Sequence, residues 1–113
     1  MFNMQKMLKQ VQKLQEEMAR VQEELARERV EASAGGGVVR AVANGHGDLV
    51  EIAIDPSVVD PSDVAMLQDL VLAAAGEAIR KARDHAAERM KAVTGGLQLP
   101  GMPGLPGFPG MGA

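Results

Sequence analysis

The sequence predicts an α+β fold: a long N-terminal helix, a three-stranded antiparallel sheet and a long C-terminal helix. Three observations predict it. Apolar residues recur at heptad spacing over residues 4–25, with no Gly or Pro between them. A block of β-branched residues with turn residues between them follows over 30–55. A second helical pattern fills 56–94 and meets Gly95-Gly96, a helix stop.

The first helix reads over residues 2–29. Met4, Met7, Val11, Leu14, Met18, Val21 and Leu25 form its seam, spaced alternately three and four apart. At ~1.5 Å per residue it would be roughly 40 Å long. A domain this small cannot cover that length, so part of the helix is expected to project as an arm.

Strands are expected at 30–34, 38–44 and 48–55. Gly35-Gly36-Gly37 reads as the turn between the first two. Asn44-Gly45, followed by His46-Gly47, is the hairpin signal, because Asn and Gly tolerate the positive φ such turns need. In the third strand Val50, Ile52 and Ile54 would face one way, and Leu49, Glu51 and Ala53 the other.

Pro56 and Pro61 punctuate the approach to the last helix, with a short helical turn expected at 56–59. Ser62 or Asp60 could cap that helix, with Asp63 in its first turn. From Val64 to Ile79 only Gln68, Asp69, Gly76 and Glu77 interrupt the apolar residues. A helix apolar on nearly all sides is buried on nearly all sides. One small sheet and one neighbouring helix cannot cover it, so a homodimer is expected. Residues 1–94 thus form a single domain. Residues 95–113 read as a flexible Pro/Gly-rich tail, with Pro at every third position from Pro100 to Pro109.

Composition excludes several function classes. The chain has 113 residues, net charge −3 and no Cys, so disulfides and thiolate chemistry are ruled out. It has two Phe, no Trp and no Tyr, too few rings for stacking on single-stranded bases. No signal peptide and no apolar run of membrane-spanning length is visible, and a cytoplasmic location is expected. His46 and His85 lack partners at metal-ligand spacing. Gly35-Gly36-Gly37 lacks the Lys-Ser/Thr and the helix that follow in a phosphate loop. Ser33, Ser57 and Ser62 have no evident base partner. No enzyme activity, cofactor, metal, membrane or small-molecule substrate is expected.

The overall charge hides a division. Residues 1–15 carry Lys6, Lys9 and Lys13 and no acid, giving +3. Residues 16–77 carry four basic and thirteen acidic residues, giving −9. Residues 78–94 carry Arg80, Lys81, Arg83, Arg89 and Lys91 against Asp84 and Glu88, giving +3. Basic residues near a helix C-terminus complement the dipole and say little. The lysines at the start of the first helix oppose its dipole, and Gln fills neighbouring positions where Glu would be favourable. If the two helices pack antiparallel, both basic ends meet at one pole. Lys6 and Glu23 would be roughly 25 Å apart along the helix. The Debye length is about 8 Å at physiological salt, so the acidic body is screened from that pole. An acidic protein can then offer a cationic surface to a polyanion.

Four stretches carry a family resemblance: "NMQKMLKQVQKLQEEM", "VEASAGGGVVRAVANGHGDLVEIAIDPSVV", "DVAMLQDLVLAAAGEAIRKA" and "TGGLQLPG". Over about residues 2–100 they resemble the YbaB/EbfC family of bacterial nucleoid-associated proteins. The resemblance implies a tweezer-like homodimer with projecting helical arms. It implies binding to double-stranded DNA, largely without sequence preference, with roles in nucleoid organisation and gene regulation. Contacts at the arms would fall here on Lys6, Lys9, Lys13, Arg80, Lys81, Arg83, Arg89 and Lys91. Gln5, Gln10 and Gln12 could donate hydrogen bonds to backbone or base edges. The alternative is an adaptor whose heptad arm docks a helix of a recombination or replication factor.

Overall fold

The computed structural model describes residues 3–95. Helix α1 spans Met4–Arg27, strands β1, β2 and β3 span Val30–Ala34, Val39–Ala43 and Leu49–Ile54, a 3-10 turn spans Pro56–Val58, and helix α2 spans Val64–Gly95. The α+β architecture expected from the sequence is the one observed. The segment expected as a Pro/Gly-rich tail lies, beyond Gly95, outside the described residues.

The sheet is antiparallel in the order β1-β2-β3. Gly35, Gly36 and Gly37 all adopt positive φ in the first turn, which explains a run of three glycines there. In the second turn the glycine with positive φ is Gly47, at +88°, and not Gly45. The Gly47 N–H donates to the Asn44 carbonyl at 3.0 Å. Asn44 Oδ1 accepts from the backbone N–H of His46 and of Asp48. Asn44 therefore holds the turn through its side chain.

Gly45 has a different reason to be glycine. A Cβ there would lie 2.6 Å from the Leu25 carbonyl oxygen and 2.8 Å from its Cα. The Gly45 N–H donates to that same carbonyl at 2.8 Å. His46 Nε2 lies 3.1 Å from the Gln22 carbonyl oxygen. The hairpin tip thus meets the last turn of α1 at the Leu25 carbonyl, one of those the helix end leaves short of helical partners, and reaches one turn further in at Gln22. His46 makes this contact while remaining exposed. Val21 and Leu25, 2% and 1% exposed, anchor this end of α1. Each contributes about 1.5–3 kcal/mol of apolar burial.

Helix α2 packs on the sheet through small residues. Ala74, Ala78 and Ala82 are fully buried against Val39, Ala41 and Ala43 of β2 and Ala32 of β1. Their spacing of four puts them on one face. The large apolar residues of α2 point elsewhere: Leu72 is 73% exposed, Val64 50% and Met66 40%. A helix apolar all round is therefore covered on one face only within the protomer.

The start of α2 also differs from expectation. Asp63 is the cap, its Oδ1 accepting from Met66 N at 3.2 Å. Asp60 instead holds the preceding turn, accepting from the backbone N–H and the hydroxyl of Ser62. These hydrogen bonds to the ionised form pull the Asp60 carboxyl below its usual range.

A shift of register between Val42 and Ala43 sets Leu49 opposite Ala43 and leaves Val50 as the extra residue. Ile52 pairs with Ala41 and Ile54 with Val39, so both lie on the face that carries α2. Neither is buried, because α2 packs over β1 and β2 and barely reaches β3. On the opposite face Arg40 spans the sheet, bonding Glu51 on β3 at 2.8 Å and pairing with Glu31 on β1 at 3.4 Å.

Candidate nucleic-acid interface

The arm is the upper half of α1. Asn3 caps it, its Oδ1 accepting from Lys6 N at 3.1 Å. No acid lies in the first turn. Lys6, Lys9 and Lys13 follow, all exposed. At about 100° per residue the three fall within about 60° of one another around the helix. The seam of Met4, Met7, Val11 and Leu14 lies on average about 135° away on the same basis. Gln5 and Gln12 flank the lysine face on one side and Gln10 on the other. Among the described residues, none of the three lysines forms an ion pair within α1 or with α2.

Lower down, α1 becomes acidic and its charges pair. Arg20 bonds Glu17 at 2.6 Å and Glu24 at 3.1 Å. Glu24 also accepts from Arg89 of α2. Arg89 donates to Glu28 at 2.6 Å, and His85 Nε2 lies 2.5 Å from the other oxygen of Glu28. Six side chains therefore form one chain of contacts from Glu17 on α1 to His85 on α2. The Arg89 hydrogen bond is the main reason the Glu24 carboxyl sits below its usual range.

These contacts fix the direction of packing. Glu28 meets His85 and Arg89, while Glu24 meets Arg89, so one helix descends as the other climbs. The helices are antiparallel, and both run their basic ends the same way. The cations nevertheless occupy two levels. Arg89 is level with Glu24 and Glu28, whereas Lys13 is roughly 16 Å and Lys6 roughly 27 Å further along α1.

The remaining candidates on α2 divide by what they touch. Arg80 is held by Glu77 at 2.5 Å and Asp84 at 3.0 Å. The Glu77 hydrogen bond keeps its guanidinium above its usual range. Lys81 Nζ donates to the Glu31 carbonyl of β1 at 2.9 Å. Arg83 lies against the hairpin, its Cγ and Nε 3.4 Å from where a Cβ on Gly47 would be. Lys91 is exposed and, among the described residues, makes no ion pair.

Sequence reasoning took Arg89 for a free cation and did not foresee its two glutamates. A signal was present: Glu24 and Glu28 are four apart on one helix, and His85 and Arg89 are four apart on the other. Antiparallel packing brings two such pairs together.

Among the described residues no cluster of His, Cys, Asp and Glu could hold a metal ion. No helix among them is long and apolar enough to cross a membrane.

Comparison with known proteins supplies the frame. Residues 1–97 match the YbaB/EbfC DNA-binding family. A nucleoid-associated protein of Moorella thermoacetica is 55% identical over 101 residues, covering 89% of this chain and 97% of that protein. One of Staphylococcus carnosus is 61% identical over 100 residues, covering 88% and 95%. A crystal structure of an uncharacterized protein from Helicobacter pylori shares the fold at TM-score 0.71 and 18% identity, covering 81% of this chain and 97% of that one. With nearly its whole helix-sheet-helix span matched, the chain belongs to the YbaB/EbfC DNA-binding family.

Proposed function

We propose that this protein is a homodimeric, nucleoid-associated binder of duplex DNA, acting largely without sequence preference in the bacterial cytoplasm. Its lysine arm is the contact. One observation carries the reading: Lys6, Lys9 and Lys13 share a face of α1 and have no carboxylate partner among the described residues. Unneutralised cations on a projecting helix suit phosphate oxygens, and Gln5, Gln10 and Gln12 beside them can donate to backbone or base edges. Lys91 joins them. Arg83 is within the same reach of solvent. Arg80, Lys81 and Arg89 would have to leave Glu77, the Glu31 carbonyl and Glu24 before meeting DNA, so they contribute less. Contacts of this kind position a protein on any duplex, which fits a role in organising the nucleoid and adjusting gene expression broadly. No chemistry is catalysed.

Dimerisation is supported by the apolar surface left on α2 and β3. Leu72, Val64 and Met66 on α2 and Ile52 and Ile54 on β3 are all exposed. A surface of this kind is what a second protomer would cover. Two protomers would then hold two arms, as a tweezer does.

Binding to random-sequence duplex at low and at physiological salt tests the proposal. The expected affinity falls steeply with salt, with a slope of about −0.9 per phosphate neutralised. An adaptor that docks a protein helix through α1 would show no salt-sensitive duplex binding.

A further inference from the structure

The seam of α1 changes its cover along its length. Val21 and Leu25 are buried, Leu14 and Met18 are half-buried, and Met4, Met7, Leu8 and Val11 are 63%, 47%, 58% and 46% exposed. Arg89 meets Glu24, and α2 runs six residues on to Gly95, level with about Met18. Below that level Glu24, on the flank of the seam, pairs with Arg89 across the two helices, as flanking residues of a coiled coil do. Above it the heptad continues without a facing helix among the described residues.

We propose that the bare seam of α1 docks antiparallel on the same seam of a second copy, setting Met4 of each chain opposite Leu14 of the other and Met7 opposite Val11. Apolar residues spaced alternately three and four apart fit a facing helix, so the occupant is helical. The residues beside the seam select which helix. From Met4 to Gln15 they are Leu8, Gln10 and Gln15, and none is charged. They favour neither an acidic nor a basic partner, and two copies meet there without like charges across the seam. The lengths also agree. In this register Met18 of one chain falls just beyond the first residue of the other, so the bare stretches overlap fully and the two bodies stay at opposite ends. Antiparallel packing opposes the two helix dipoles and separates the lysine-bearing ends, with roughly 15 Å along the axis between the two copies of Met4. Each arm is already helical through its lower half, so pairing adds no cost of helix nucleation. The lysine faces lie on the far side of each helix and stay outward. The contact is separate from the exposed surface of α2, and it does not depend on the DNA reading.

The chain has no Cys, so single-Cys variants of the full-length protein can be joined by a short bis-maleimide linker and read on a denaturing gel. Leu8→Cys lies nearly level with its own copy beside the seam, and most of its chains should be joined in pairs. Lys9→Cys is equally level but faces outward, and Met4→Cys is offset along the axis, so both should stay largely single. Equal yields from Leu8→Cys and Lys9→Cys would mean random collision and overturn the proposal. Efficient joining of Met4→Cys would mean parallel arms, and an absence of pairs from Leu8→Cys would mean no contact; either result also overturns it. Adding Met7→Gln with Val11→Gln, both exposed in the protomer, to Leu8→Cys should abolish the pairs while circular dichroism shows the helix content unchanged. Pairs that persist would sink the seam as the contact. Adding Leu72→Glu to Leu8→Cys should leave the pairs in place, and their loss would tie the arms to the α2 surface instead.

Discussion

Arg89 of α2 donates to Glu28, the residue that caps the C-terminus of α1, at 2.6 Å, and so ties the lower end of α1 to α2. Beside it, the end of α1 rests on the hairpin loop while α2 rests on the sheet. Above it, α1 continues towards its lysines. The pair is one link in a chain that also holds Glu24, Arg20 and His85.

The link is pH-dependent in a definite direction. Hydrogen bonding to Arg89 lowers the Glu24 carboxyl below its usual value of 4.5. A lowered pKa gives a contribution that is complete above the unfolded value and is lost as pH falls through the folded value. Acid titration below about pH 4.5 should therefore loosen α1 from α2. Hydrogen exchange of the α1 amides will follow it, and Arg89→Ala should flatten the dependence. An unchanged profile in that variant would show that Glu24 is held by something else.

Gly45→Ala should be costly although Gly45 needs no positive φ. The added methyl meets the backbone of Leu25 at 2.6 Å, which cannot swing aside. A loss of about 1–3 kcal/mol is expected from overpacking, read as the shift of the denaturant midpoint. Gly36→Ala, by contrast, meets nothing within 4 Å, and its φ of +74° is its only source of strain.

Ala78→Leu tests the small-residue contact between α2 and the sheet. Ala78 has no exposed surface and sits among Ala41, Ala43 and their neighbours. Three extra carbons have no room, so the protein should lose about 1–3 kcal/mol or more. Thermal unfolding will show it, and a melting point equal to that of the parent would mean that the layers can separate freely.

Lys6→Glu with Lys9→Glu should weaken binding to all duplex sequences alike and reduce the salt slope by about one unit per lysine. Arg80→Gln, removing a cation already bonded to Glu77 and Asp84, should change little. Comparing the two by gel shift separates the arm from the body. An equal loss from both would move the contact down α2.

Leu72→Glu should halve the mass measured by sedimentation while leaving the helix content intact. Leu72 is 73% exposed in the protomer, so the carboxylate is harmless there and unwelcome only against a second copy. A dimer that survives the change would have its interface elsewhere.

Much of this was legible from residue spacing alone. The heptad stripe predicted α1 over 2–29 against an observed Met4–Arg27, and each strand lay within a residue of its expected bounds. These signals are local and periodic. Asp63 was passed over as the cap because Asp60, Ser62 and Asp63 all suit the role, and only the geometry of the turn decides among them. The hairpin glycines were misjudged for a related reason. Gly45 is dictated by Leu25, twenty residues away, and no dipeptide rule carries that information. In the candidate site the lysine face was visible from spacing, and so, at i−3 and i+4 on one helix, were Glu77 and Asp84 beside Arg80, whereas the fate of Lys81 and Arg89 depended on which carbonyl and carboxylates the fold set beside them.

Lys81 lends its ammonium to the Glu31 carbonyl on β1, an outer strand of the sheet. An incoming strand would have to evict that charge before it could zip onto this border. The opposite border, along β3, carries no such plug among the described residues. The two borders of one small sheet therefore differ in what an approaching backbone would meet: an ammonium group already seated on β1, and none on β3 among the described residues.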